Sequence, residues 1–224
     1  MNGSRASWKI RYDREAGSAF ETDEFRRYDL GGPELLALVD SNGVPAAQAA
    51  RVRSLAFDSI AQAAGDDICL PDLLDHVRSV VTKWFDTSDL PPTGCFLNVA
   101  LLRLGEKRVT LVGAYAPVYI LSASQPTRYI DFPGPVLGPH GMLKHPIREI
   151  EIQVEADEYV LVPSDGLLES RTPEGKINGD THLKRRVEEF FDAEDLHTAV
   201  LRTYREHDAD LRDSRSLLSI NWTG

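Results

Sequence analysis

From Ser7 to Asp13 apolar and polar residues alternate, with Trp8, Ile10 and Tyr12 on one side, the period of a half-buried strand. Glu34 to Asp40 (ELLALVD) is a short apolar run that reads as a strand ending on its acid, before a turn at Ser41-Asn42-Gly43. Pro45 then opens a different rhythm. Ala46, Ala49, Ala50, Ala56, Phe57 and Ile60 recur at three- and four-residue steps, as on one helix face, and proline suits a first helical turn. A second helix is predicted from Pro71 to Phe85, with Leu73, Leu74, Val77, Val80, Val81 and Trp84 on one face.

From Thr93 the pattern turns to strands, over Cys95 to Leu104, Arg108 to Ala114, Val118 to Ser122 and Thr127 to Phe132. Gly105-Glu106-Lys107 reads as the hairpin turn between the first two. Pro133 to Pro146, rich in glycine and proline, reads as a loop. Ile150, Ile152 and Val154 alternate again, and Tyr159 to Pro163 continues a sheet. Thr181 to Phe191 and Ala193 to Tyr204 have helical patterning, and Leu217 to Trp222 is a closing strand. Consecutive strands joined by short turns predict antiparallel sheets, and helices grouped between them predict an α+β fold. The arrangement expected is a four-layer α-β-β-α sandwich, two stacked antiparallel sheets flanked by helix pairs. No repeat or low-complexity linker interrupts the sequence, so residues 1–224 are expected to form one domain.

Composition narrows the functional classes. The apolar fraction of 42% and charged fraction of 27% are those of an ordinary soluble protein with a sizeable core. No run of 18 apolar residues exists to span a membrane, and Met1 to Tyr12 lacks the apolar core of a secretory signal. Two cysteines, Cys69 and Cys95, are too few for a disulfide scaffold and form no CxxC pair, which fits a cytoplasmic location. The net charge is −10, from 35 acids and 25 bases, and there is no basic stripe to neutralise a nucleic-acid backbone. Lys184-Arg185-Arg186 lies in a helical pattern with Glu188 and Glu189 and reads as a solvated face. An acid excess favours small cations or a basic partner surface.

Three acids share a setting. Asp40 ends one predicted strand, Asp165 ends another in Tyr-Val-Leu-Val-Pro-Ser-Asp-Gly (159 to 166), and Asp213 stands just before the last strand. Carboxylates at strand ends point to where loops converge. Several meeting there would repel unless divalent cations neutralised them, and oxygen-only ligands suit magnesium or manganese. Two such ions can share a carboxylate and activate a water toward phosphorus. Aspartate is also a common turn residue, so spacing alone leaves simple turn-capping open.

The wording around these acids resembles a known family, the sporulation-protein-E-like branch of the metal-dependent (PPM-type) serine/threonine phosphatases. Leu38-Val39-Asp40-Ser41-Asn42-Gly43-Val44-Pro45-Ala46-Ala47 is similar to its signature of a strand-ending Asp followed by Gly-His-Gly and a helix start. Ala156 to Glu169 resembles its block of an apolar strand followed by Thr/Ser-Asp-Gly-(Val/Leu)-x-Glu. Gly113-Ala114-Tyr115-Ala116-Pro117 is similar to its Ala-Gly-His-x-Pro turn, and Asp213-Ser214-Arg215-Ser216-Leu217-Leu218 to its closing Asp-Asp/Asn-x-Thr-Leu. The four matches fall in the family's order, and the resemblance runs over roughly residues 7 to 222.

The resemblance implies a site. Asp40 matches the acid that bridges two metal ions, Mn2+ or Mg2+, joined by the backbone carbonyl of the next residue, Ser41. Asp165 and Asp213 match the acids that hold the first metal. Asp23, in Glu21-Thr22-Asp23-Glu24-Phe25, sits where the family has Gly-Gly-Asp-(Phe/Tyr) and is a candidate for the second. The implied chemistry is hydrolysis of phosphoserine or phosphothreonine by a metal-activated water, without a phosphoenzyme. The implied partner is a phosphorylated anti-sigma-factor antagonist in a bacterial partner-switching pathway, with no nucleic-acid or membrane partner.

This sequence departs from the family at three places. Ser-Asn replaces the start of Gly-His-Gly, leaving the loop after Asp40 two residues shorter and without its histidine. Ser214 follows Asp213, and Asp23 lacks the Gly-Gly lead. The shortened loop favours an alternative, a non-catalytic pseudophosphatase that binds the same kind of partner, and a phosphatase acting on a small phosphoester is a third reading. His140 and His145 form no helical ligand pair and read as loop residues, Trp84 and Phe85 as core, Cys95 as buried, and Glu169 as either structural or functional.

Overall fold

The computed structural model describes residues 7–15, 23–65, 68–91, 93–122, 124–131, 133–139, 145–156, 158–171, 177, 179–190, 195–207 and 215–223. Strands β1 (Ser7–Glu15), β2 (Asp23–Asp29) and β3 (Glu34–Asn42) lead into helices α1 (Ala46–Ala63) and α2 (Leu70–Asp86). Six strands follow: β4 (Phe96–Gly105), β5 (Arg108–Ala114), β6 (Val118–Leu121), β7 (Arg128–Ile130), β8 (Ile150–Gln153) and β9 (Tyr159–Pro163). Helices α3 (Asp165–Leu168), α4 (Gly179–Phe190) and α5 (Leu196–His207) precede the closing strand β10 (Arg215–Thr223). The strands form two five-stranded sheets, ordered β2-β3-β4-β5-β8 and β1-β10-β9-β6-β7, and every pairing is antiparallel. The fold is α+β, as the order of elements predicts.

The chain divides into two compact units, one of Thr22–Tyr115 with Phe132–Gln153, the other of Met1–Glu21, Ala116–Asp131 and Val154–Gly224. In the first, alternate residues Leu35, Ala37 and Val39 of β3 and Leu97, Val99 and Leu101 of β4 pack with Val52, Ala56, Phe57 and Ile60 of α1 and Leu73, Leu74, Val77 and Val81 of α2. The intervening Leu36, Leu38, Ala100 and Leu102 are buried too. Burial on both faces is why these strands are continuously apolar rather than alternating. Each buried Val, Leu, Ile or Phe among them contributes about 1.5–3 kcal/mol over leaving it exposed.

Strand β2 was not legible in the hydrophobic pattern. Its sequence, DEFRRYD, holds only two apolar residues, and it lies at the sheet edge, where charges discourage pairing with other chains. It is tied to α1 instead, through the Tyr28 hydroxyl donating to the Phe57 carbonyl at 3.1 Å and Arg26 lying 4.4 Å over the Phe57 ring.

In the second unit β10 is paired with β1 and β9. Tyr119, Leu161 and Leu217 of the sheet pack with Leu167 of α3, Leu183 and Val187 of α4, and Leu196, Val200 and Tyr204 of α5. Lys184 and Arg185 are exposed and pair at i,i+4 with Glu188 and Glu189, at 4.0 and 3.8 Å, on a solvated helix face. Buried Glu158 accepts 2.8 Å hydrogen bonds from Arg128 on both carboxylate oxygens. The strand expected over Thr127 to Phe132 is shorter, Arg128–Ile130, and Phe132 lies outside the described residues. So does His140, while His145 is exposed. Among the described residues no helix is long and apolar enough to cross a membrane.

Candidate metal centre

The register of β2 against β3 sets Asp23 directly opposite Asp40. Both residues are fully or almost fully buried, and a carboxylate oxygen of one lies within 4.8 Å of one from the other. Like charges directly across a strand pair are destabilising, and burial strengthens the repulsion. Neutral donors orient the pair: the Tyr115 hydroxyl donates to Asp23 Oδ1 at 2.7 Å, and the Asn42 side-chain amide donates to Asp40 Oδ2. Asn42 stands within the shortened loop, a departure from the family wording.

That loop differs from its sequence reading. Strand β3 does not stop at Asp40, because Asp40, Ser41 and Asn42 continue the ladder opposite Asn98, Leu97 and Phe96. The turn is compressed into Gly43, at φ +67°, where a Cβ would lie 1.8 Å from the Gly94 carbonyl oxygen. Only glycine meets both demands. The Cys95 thiol, buried as expected, donates to the Gly43 carbonyl at 3.1 Å, and Pro45 caps α1 two residues later. An extended strand plus one left-handed glycine therefore replaces a longer loop.

Asp165 also sits otherwise than expected. Strand β9 ends at Pro163, and Asp165 is the first residue of α3, partly buried in the second unit. Its Oδ1 accepts from the Gly166 amide at 2.8 Å, and an acid in a first helical turn is favoured by the exposed amides there. Ser164 caps the helix, its Oγ accepting from the Leu167 amide at 3.3 Å and from the Ser216 amide at 2.9 Å. The Ser164 amide donates in return to the Ser216 carbonyl at 2.9 Å, which locks the turn to the start of β10. Asp213 precedes that strand and lies outside the described residues. Glu169, the C-terminal cap of α3, is exposed.

Of the predicted residues, Asp23, Asp40 and Ser41 share the first unit, with Asp23 and Asp40 paired. The Ser41 side chain points to the opposite, helix-covered face, where its hydroxyl accepts from Arg53 at 2.7 Å. Sequence reasoning did not mark Tyr115, Asn42 or Arg53. A signal existed for Arg53, a cation on the helical stripe of Ala49, Ala56, Phe57 and Ile60.

The family model for Stage II sporulation protein E (SpoIIE) matches residues 38–223. The chain belongs to the SpoIIE family. Its members are PPM-type protein serine/threonine phosphatases, and the SpoIIE fold extends to solved structures. The SiaA-PP2C domain of Pseudomonas aeruginosa superposes with a TM-score of 0.76 at 15% identity, over 95% of this chain and 85% of that one. The RsbU and RsbW domains of a Mycobacterium tuberculosis protein give 0.73 at 18% identity, over 96% of this chain and 60% of that one. RsbX in complex with magnesium gives 0.67 at 10% identity, over 99% and 98%. Comparison with curated protein sequences returns no match.

Proposed function

We propose that the chain is an active, metal-dependent phosphatase that hydrolyses phosphoserine or phosphothreonine on a partner protein. The observation that carries this reading is the buried Asp23–Asp40 pair, two carboxylates within 4.8 Å of each other, which a divalent cation would neutralise. An all-oxygen donor set fits Mn2+ or Mg2+. In this reading Asp40 and the Ser41 carbonyl would hold both ions, Asp23 the second, and Asp165 and Asp213 the first. On the same reading residues 1–224 act as one domain. The ions supply charge neutralisation at phosphorus and an activated water for direct attack. Tyr115 and Asn42 hold the Asp23 and Asp40 carboxylates in orientation, and Ser164 fixes the turn that presents Asp165.

The partner proposed is a phosphorylated anti-sigma-factor antagonist in a cytoplasmic partner-switching pathway. Family membership and the likeness to RsbX and to the structure that holds RsbU and RsbW domains support it. A second reading, a pseudophosphatase that binds this partner without hydrolysis, is favoured by one contact. The Asn42 amide occupies Asp40 Oδ2, an oxygen that a bridging role would use.

Hydrolysis of p-nitrophenyl phosphate in millimolar manganese tests the enzyme reading, with Asp165→Asn as control. Turnover in the unsubstituted protein that Asp165→Asn abolishes is expected. No turnover in either leaves the binding-module reading.

A further inference from the structure

The sheet face opposite the Asp23 and Asp40 carboxylates holds a buried cation. Arg53, on the second turn of α1, is 5% exposed. Its guanidinium donates to Ser41 Oγ at 2.7 Å, and its Nε stands 3.5 Å from Glu24 Oε2. Glu24 follows Asp23 on β2, and Ser41 follows Asp40 on β3. Successive strand residues point to opposite faces, so a group that holds positions 24 and 41 from behind sets the backbone that carries 23 and 40 in front.

We propose that Arg53 is a positioning residue for the metal centre, clamping the ends of β2 and β3 through Glu24 and Ser41 so that the two carboxylates and the Ser41 carbonyl keep a fixed spacing. This rests on the reading of Asp23, Asp40 and Ser41 as metal ligands. Burying a guanidinium is costly unless a counter-charge is near, and Glu24 supplies that charge while Ser41 accepts one of its N–H donors, with Nε making no hydrogen bond. For packing alone an aliphatic residue would fill this place on the apolar stripe of α1 at lower cost. Among the described residues edge strand β2 has one neighbouring strand, so a link from α1 restrains it where the ladder cannot. The restraint matters because two repelling carboxylates push their strands apart whenever the cations are absent. Residues that orient metal ligands from behind typically change metal affinity about 10- to 100-fold when removed.

Calorimetric titration of the full chain with MnCl2 tests this, alongside thermal melts in EDTA on the same preparations. No binding to the unsubstituted protein would overturn the reading of the centre, and this inference with it. Given binding, Arg53→Met is expected to raise the Kd for manganese about 10-fold or more. Ser41→Ala, which keeps the carbonyl and deletes one hydroxyl, is expected to weaken binding in the same direction. The double variant should bind no worse than Arg53→Met alone, because both changes break one link. An unchanged manganese Kd in Arg53→Met with a lowered melting temperature would assign Arg53 to stability alone and overturn the inference while leaving the metal centre standing. If Arg53→Met does not fold, Ser41→Ala decides, and an unchanged Kd there overturns it.

Discussion

Tyr115 and Asp23 are 92 residues apart in sequence and meet in a hydrogen bond of 2.7 Å from phenol hydroxyl to Oδ1. Tyr115 follows β5, and Asp23 opens β2, three strands across the same sheet. The phenol fixes the rotation of a buried carboxylate that is itself a proposed ligand. Tyr115→Phe removes the donor and keeps the ring. It is expected to weaken manganese binding by about 10-fold, the lower end for residues that orient ligands, with the fold retained. Calorimetry on the variant measures this, and a Kd equal to that of the unsubstituted protein would remove Tyr115 from the site.

The compressed turn after Asp40 should tolerate no side chain. Gly43→Ala combines a left-handed backbone, at about 1–2 kcal/mol, with a Cβ 1.8 Å from the Gly94 carbonyl oxygen. Gly94→Ala meets nothing within 4 Å despite φ +83° and should cost only the backbone term. Urea unfolding should therefore rank Gly43→Ala well below Gly94→Ala, by about 2 kcal/mol or more.

His197 should make stability depend on pH. It is buried on α5, with Nδ1 2.7 Å from Ser219 Oγ and Nε2 3.0 Å from Asp13 Oδ2. Burial, followed by the nearby Arg11 charge, lowers its pKa to about 4, against the opposing pull of Asp13 and Asp195. The unfolded chain then takes up a proton near pH 6.5 that the folded protein refuses until about pH 4. Stability should fall as pH drops through that window, at up to about 1.4 kcal/mol per unit and roughly 3 kcal/mol in all. The carboxyl of Asp195, held well below its usual range although burial alone would raise it, by hydrogen bonds from Thr198 and the Arg11 pairing, contributes its loss at lower pH. His197→Gln should flatten the change in urea midpoint between pH 7 and pH 5.

Elements with dense apolar patterning were legible in the sequence, and those without it were not. The runs of β3, β4 and β5 and the helix α2 emerge within one or two residues of their predicted ends, and α1 continues past its predicted stripe, from Ile60 to Ala63. Strand β2 escaped because an edge strand can spend its positions on charge, and α3 because four residues are too few for any period to register. The acids were found by motif wording. Their geometry was not, since strand register sets Asp23 against Asp40, while Tyr115 reaches Asp23 and Arg53 reaches Ser41 from distant segments. Expecting Asp40 to end its strand was mistaken for a related reason, because polar Ser41 and Asn42 still satisfy the ladder through their backbones.

Clustered acids that await cations should cost stability when the cations are withheld. Asp40→Asn removes one charge from the buried pair at nearly constant volume and can still accept from Asn42. In EDTA the variant should be more stable than the unsubstituted protein, by up to about 3 kcal/mol, the repulsion expected near 5 Å at an effective dielectric constant of about 20. In millimolar manganese the order should reverse, because only the unsubstituted protein gains from binding. Melting temperatures in the two buffers check both signs.

The most direct test of the proposed activity is release of phosphate from a phosphoserine peptide, followed in manganese, in EDTA and with Asp40→Asn. Turnover that requires manganese and vanishes in Asp40→Asn, while that variant remains folded by circular dichroism, is the predicted result. No release in millimolar manganese, or release that Asp40→Asn leaves unchanged, would contradict a metal-dependent phosphatase built on the Asp23–Asp40 pair.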